Sequence, residues 1–152
     1  LPEDGVIARP LGKLTMVNCA SPHYLTRFGY PQSPDDLTSH AIVRYTPHLG
    51  VHPLGFEVAS VNGVQWFKSG GMLTVNSSEN YLTAGLAGLG IIQIPRIAVR
   101  EALRAGRLIE VLPGYRAEPL SLSLVYPQRR ELSRRVNLFM QWLAGVMKEY
   151  LD

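Results

Sequence analysis

Gly85-Leu86-Ala87-Gly88-Leu89-Gly90-Ile91-Ile92-Gln93-Ile94-Pro95 compresses a helix end, a tight turn and a buried strand into eleven residues. The small residues Ala84, Gly85, Ala87 and Gly88 permit another backbone to approach closely. Gly90 can take the left-handed conformation that stops a helix, and Ile91 to Ile94 form a short apolar run. A helix feeding a strand in this way is the grammar of a parallel sheet. The glycines read G-x-x-G-x-G and precede the strand, whereas a phosphate-cradling loop follows a strand and opens a helix, so nucleotide binding is rejected here.

Working outward, Leu14 to Cys19 reads as a buried strand, after which Ser21 caps and Pro22 opens a short helix ending at Gly29. Ser33 and Pro34 repeat the device, with Asp35 and Asp36 in the first turn where the helix dipole favours them. Ala41 to Tyr45 is a further strand, and Phe56 to Trp66 two alternating segments about a turn at Val61-Asn62-Gly63. Met72 to Asn76 is another strand, after which Ser77 or Ser78 caps a helix ending at Gly90. Past the quoted stretch come a helix from Ile97 to Ala105 stopped by Gly106, an alternating strand from Ser121 to Tyr126, and a last helix from about Ser133. On that helix Val136, Phe139, Met140, Leu143, Met147 and Tyr150 recur at three- and four-residue steps, making one broad apolar face. Strands alternating with helices predict an α/β fold with a mostly parallel sheet covered by helices, the strands at 14–19, 41–45, 72–76 and 91–94 adjacent in one sheet.

Composition narrows the function. With 152 residues and 46% apolar content the chain can bury a core as one domain. The formal charge of +3 is spread over scattered arginines, and neither a helix-turn-helix nor aromatics interleaved with lysines is present, so this stretch predicts no sequence-specific DNA binding of its own. One cysteine, Cys19, excludes an internal disulfide and fits a reducing compartment. No run approaches the roughly 20 apolar residues of a membrane span, and Leu1 to Gly12 does not read as a signal peptide, so the expected location is cytoplasmic.

In an open α/β sheet, ligands sit beyond the carboxyl ends of strands, where helix starts offer unpaired N–H groups. That geometry nominates Ser21, then Arg44 and Tyr45, then Asn76, Ser77 and Ser78, then Pro95. Each has a plainer reading: a serine before a helix is often only a cap, and an arginine at a strand end is often only solvated. Arg44 stands out because its planar fork can pair with a carboxylate. His48 and His52 invite a metal reading, but Pro47, Gly50 and Pro53 oppose the helix that their spacing would need, and no metal or cofactor is expected. Ser21, His23 and Asp35 form no catalytic triad, since no strained G-x-S-x-G turn surrounds a serine. Cys19 reads as an inert apolar residue, and Trp66, Trp142 and Phe139 as core or interface anchors.

The quoted stretch also carries a family resemblance that its flanks extend in order. Leu1-Pro2-Glu3-Asp4, Ile7 to Gly12, Cys19 to Leu25 and Ser33 to Leu37 with His40 precede it, as does Val75 to Glu79; Gly106 to Pro113, Leu124 to Pro127 and Leu132 to Val136 follow. Together these resemble the effector-binding domain of a LysR-type transcriptional regulator. Leu54-Gly55-Phe56 stands where the family often has Trp-x-Phe. The resemblance implies a periplasmic-binding-protein-like type 2 fold: two α/β lobes joined by crossing strands, with a small anionic or polar effector in the cleft. It implies a complete second lobe at residues 14–122 and a partial first lobe, residues 1–13 and 123–152. It places effector contacts at Asn76-Ser77-Ser78. DNA would be read only through an N-terminal helix-turn-helix outside this sequence, which makes the chain a fragment of a larger regulator. It further implies self-association through the 79–89 helix and the C-terminal helix, and no enzymatic activity. A solute-binding receptor of a transport system shares the fold, and a small α/β enzyme is a third reading; fold alone does not choose among them.

Overall fold

The computed structural model describes residues 5–47, 50, 55–71, 73–127 and 133–151. His48, His52, Leu54 and Met72 lie outside them. The chain divides into two compact units, Leu1–Thr15 with Pro119–Asp152, and Met16–Glu118.

In the first unit β1 (Val6–Leu14) pairs antiparallel with β9 (Leu120–Pro127), and the chain adds a helix, α4 (Arg134–Met147). Ser133 caps α4 by accepting from the Val136 N–H. Met140 is buried on this helix, whereas Leu138, Phe139, Trp142 and Val146 are exposed.

In the second unit β2 (Met16–Ala20) is wholly buried and lies between β7 (Ile92–Pro95) and β8 (Ile109–Glu110), antiparallel to both. A parallel pair, β3 (Arg44–Tyr45) and β6 (Thr74–Val75), joins this sheet through a parallel bridge between Ile42 and Ile91. The bridge is made by Ile91 N–H donating to Ala41 O at 2.9 Å and Val43 N–H to Ile91 O at 3.0 Å. The α/β class and the adjacency of the four anticipated strands stand, but β2 runs against its neighbours. The sequence periodicity that marks a doubly covered strand is the same in either direction, so it carries no polarity.

Alternation along β2 and β7 builds two cores. Val17, Cys19, Ile92 and Ile94 face α2 (Ser78–Leu86) and α3 (Arg96–Arg104), where they meet Tyr81, Ala84, Val99 and Ala102. Ala20 and Ile91 face the other way, onto Tyr24, Leu25, Leu37 and the Phe56 and Val58 side chains of a hairpin. That hairpin is β4 (Phe56–Ser60) and β5 (Gly63–Phe67), turning at the anticipated Val61-Asn62. Gly85 on α2 lies against Ile92: an added Cβ would sit 2.6 Å from Cδ1 of that side chain.

Helix ends follow the capping signals, with two corrections. α1 (Pro22–Phe28) starts at Ser21, whose hydroxyl accepts from Tyr24 N–H, and ends at Gly29. The second capped segment, Pro34–Ser39, is a 3₁₀ helix, and Asp36 turns back to accept from the Gln32 and Ser33 N–H groups, which holds its carboxyl below the usual range. α2 stops before Gly90. Leu89 N–H donates to Ala84 O and Gly88 N–H to Gly85 O, with Gly88 at φ +76°, which is a Schellman motif. Gly88 is therefore the stop, and Gly90 serves the strand bridge instead.

His40 is buried beside Tyr24, its Nδ1 3.0 Å from the tyrosine hydroxyl, which also accepts from Ala41 N–H. Burial pushes the imidazole below its ordinary value, and Asp36 offsets part of that. The unfolded chain therefore binds the proton more readily than the folded one. The contribution of His40 should be full above the ordinary histidine value near 6.5 and fall as pH drops below it. Thermal melts at pH 7.5 and 5.5 should show His40→Gln losing less stability on acidification than the parent; an equal loss would refute the assignment.

Candidate functional site

Because β3, β6 and β7 run parallel and β2 opposes them, the carboxyl ends of β3, β6 and β7 share one edge of the sheet with the amino end of β2, where Met16 pairs with Pro95. A cavity of about 230 Å³ opens there, lined by Met16, Ile42, Val43, Arg44, Tyr45, Gly55, Glu57, Trp66, Tyr81, Gln93 and Ala117. Arg44 and Tyr45, nominated from sequence, are in its wall. Asn76, Ser77, Ser78 and Pro95 lie at the same edge outside the lining, where Ser77 accepts from Asn80 N–H as the cap of α2 and Pro95 precedes α3. Ser21 is at the opposite edge, since it follows the antiparallel β2; its hydroxyl caps α1. The premise that put it with the others was a parallel β2, and that premise fails.

The polar groups of the cavity are of two kinds. Gln93 is tied into the structure through both its amide oxygen and its amide nitrogen. Its Oε1 accepts from Glu57 N–H at 2.9 Å, and its Nε2 donates to Glu57 O at 2.8 Å and Asn18 Oδ1 at 2.9 Å. It thereby ties the β4 hairpin to β7 as a strand rung would. Asn18, its partner across the sheet, donates to Leu112 O and Tyr115 O. The Tyr81 hydroxyl accepts from Gln93 N–H, and burial pushes it up to about 12, so it stays neutral.

Arg44 is the second kind. Its Nη2 donates to Ser69 O at 3.1 Å, while its Nε is buried with no partner among the described residues. A buried donor left unpaired costs about 1–3 kcal/mol, more when charged, which is a standing demand for an acceptor. Tyr45 stacks obliquely on Tyr81 with ring centroids 5.6 Å apart.

Sequence reading missed Glu57, Trp66, Tyr81 and Gln93 as lining residues. A signal existed for Gln93: one amide inside the run Ile91 to Ile94, like Asn18 inside Leu14 to Cys19, must find buried partners. Nothing in the sequence said that the hairpin folds over β7.

Other candidates have simpler roles. Cys19 is fully buried and its thiol is pushed up to about 12, chiefly by desolvation, with the Glu110 charge adding to it, which leaves it unreactive. Among the described residues, no three His, Cys, Asp or Glu side chains gather where they could hold a metal ion. Trp66, Phe139 and Trp142 are exposed, so the core reading of these aromatics is withdrawn. Among the described residues no helix is long and apolar enough to cross a membrane.

A family model described as the LysR substrate binding domain matches residues 1–148. An uncharacterized HTH-type transcriptional regulator of Haemophilus influenzae is 34% identical over 134 residues, covering 88% of this chain and 46% of its own length. The HTH-type transcriptional repressor PA14_22550 of Pseudomonas aeruginosa is 31% identical over 151 residues, 98% of this chain and 47% of its own. Among solved structures, the regulatory domain of CrgA, a LysR-type transcriptional regulator from Neisseria meningitidis, superposes with a TM-score of 0.80 at 25% identity, over 96% of this chain and 71% of that one. The chain spans about half the length of the curated relatives it matches.

Proposed function

The chain belongs to the LysR substrate-binding-domain family, and from that premise we propose that it senses a small anionic or polar effector in the cavity at the carboxyl ends of β3 and β7. The observation that carries this is Arg44, a cation in the cavity wall whose buried Nε has no acceptor among the described residues. An effector carboxylate would take that donor in a charge-assisted bond, worth about 1.5–3 kcal/mol.

We read Met16–Glu118 as the second lobe of the domain and the other unit as part of the first. The effector would act by favouring one arrangement of the domain over another, to the extent of its differential affinity for the two. No bond is made or broken. DNA contact would belong to a helix-turn-helix segment of the longer protein, a reading supported by relatives described as HTH-type regulators. Such a protein works in the cytoplasm. Self-association would use α2 and the exposed apolar side chains of α4.

Calorimetric titration of the chain with a panel of small carboxylates, each paired with its amide, tests the cavity. A carboxylate should bind where its amide does not, and Arg44→Gln should weaken it by about ten- to a hundredfold. Binding that is indifferent to Arg44→Gln would refute the assignment.

A further inference from the structure

The cavity holds a second charge. Glu57 lines the same cavity as Arg44, yet the two do not pair: Arg44 donates to Ser69 O, and the Glu57 carboxylate accepts from Glu118 N–H at 3.0 Å. The ion pairs among the described residues are Arg96–Glu110, Arg104–Glu101 and Arg116–Glu110, so neither cavity charge has an opposite partner there. Water screens both charges while the cavity is open. A ligand that fills the cavity expels that water, and each lining charge must then find a counter-charge or bear the cost of desolvation. A ligand with only a carboxylate satisfies Arg44 and strands Glu57; one with only an amine does the reverse. Gln93 cannot donate to a ligand carboxylate or to the Glu57 carboxylate, because both hydrogens of its amide are already donated.

We propose that the effector is a small zwitterion of the amino-acid class, its carboxylate on Arg44, its ammonium on Glu57 and an aromatic side chain against Tyr45 and Trp66. The proposal rests on the effector reading of this cavity. Its size fits the class: about 230 Å³ lies below the roughly 300–1,000 Å³ of pockets that take drug-sized ligands. The aromatic walls suit a planar side chain, and their ring faces also suit an ammonium group.

Trp66 reports on the cavity, and the chain has one other tryptophan, Trp142, which is exposed on α4. In a Trp142→Phe background, fluorescence titrations with phenylalanine, 3-phenylpropionate and 2-phenylethylamine compare the zwitterion with its two halves. Phenylalanine should bind at least about tenfold tighter than either half, since each half leaves one charge stranded. In Glu57→Gln, whose amide oxygen can still accept from Glu118 N–H, the preference for phenylalanine over 3-phenylpropionate should fall to about one. If that variant does not fold, the three-ligand comparison on the parent decides alone. Equal or tighter binding of 3-phenylpropionate, abolished by Arg44→Gln, would overturn the zwitterion and leave the effector cavity standing. A Trp66 signal unmoved by all three ligands at millimolar concentration would also overturn it. The effector reading itself fails if the carboxylate panel is silent as well, or if its binding is indifferent to Arg44→Gln.

Discussion

Gly90→Ala is expected to lower the stability of the chain by about 3 kcal/mol, far more than alanine usually costs at a glycine. A Cβ at Gly90 would lie 2.6 Å from Ala41 O, 3.0 Å from Ala41 C and 3.2 Å from Val43 N. All three are backbone atoms, so no side chain can swing away. They belong to the stretch that forms the Ile42–Ile91 bridge, and moving it breaks the two hydrogen bonds that attach β3 and β6 to β7. Overpacking of this kind costs about 1–3 kcal/mol, and an L residue at φ +157° adds backbone strain of about the same order. Gly106→Ala is the control: it also has positive φ, but nothing lies within 4 Å of its Cβ, so only the strain of about 1 kcal/mol applies. Urea unfolding of the two variants measures the difference. A Gly90→Ala loss no larger than that of Gly106→Ala would show that the close approach does not exist.

The same glycine shows where the sequence was legible and where it was not. A helix end followed by a strand could be read from Gly85 to Pro95 because stops and apolar runs are local signals. Which glycine stops the helix could not. Gly88 and Gly90 are both competent, and the choice depends on Ala41 lying beside Gly90, a contact about fifty positions away in the chain. Ser21 was legible as a cap, and Ser77 as one of two candidates with Ser78, for the same local reason. Strand polarity was not, because alternation looks alike in both directions, and that one omission carried Ser21 to the wrong edge of the sheet. Arg44 and Tyr45 needed only the end of a strand to be recognised. Glu57 and Trp66 arrive on a hairpin attached through a side-chain amide, and no local pattern announces such an attachment.

That attachment begins at Asn18, and Asn18→Asp should be among the most damaging isosteric changes the chain can suffer at neutral pH. Asn18 has no exposed surface; its Nδ2 donates to Leu112 O at 3.2 Å and Tyr115 O at 2.8 Å, and its Oδ1 accepts from Gln93. Aspartate keeps the shape and the acceptor but turns the donor into an anion facing two carbonyl oxygens. Burial and those carbonyls both oppose ionisation, so the folded-state carboxyl must rise well above the unfolded value near 3.9. At pH 7 the chain must either bear a buried, repelled charge or hold a proton against solution, a cost of about 3 kcal/mol or more. The sign of the pH dependence follows. Well below pH 4 the carboxyl is protonated in both states and can donate to one of the two carbonyls, so the ionisation penalty vanishes and only the loss of the other hydrogen bond remains; as pH rises toward the folded-state value, the penalty grows. Asn18→Ala loses these bonds and the one from Gln93 as well, but introduces no charge, so its deficit should not change with pH. Unfolding free energies of both variants relative to the parent, taken at pH 4.5 and 7.5, separate the cases. An Asn18→Asp deficit that stays constant across that range would mean Asn18 does not donate to the 112–115 loop, and the path from β2 through Gln93 to the hairpin wall of the cavity would have to be redrawn.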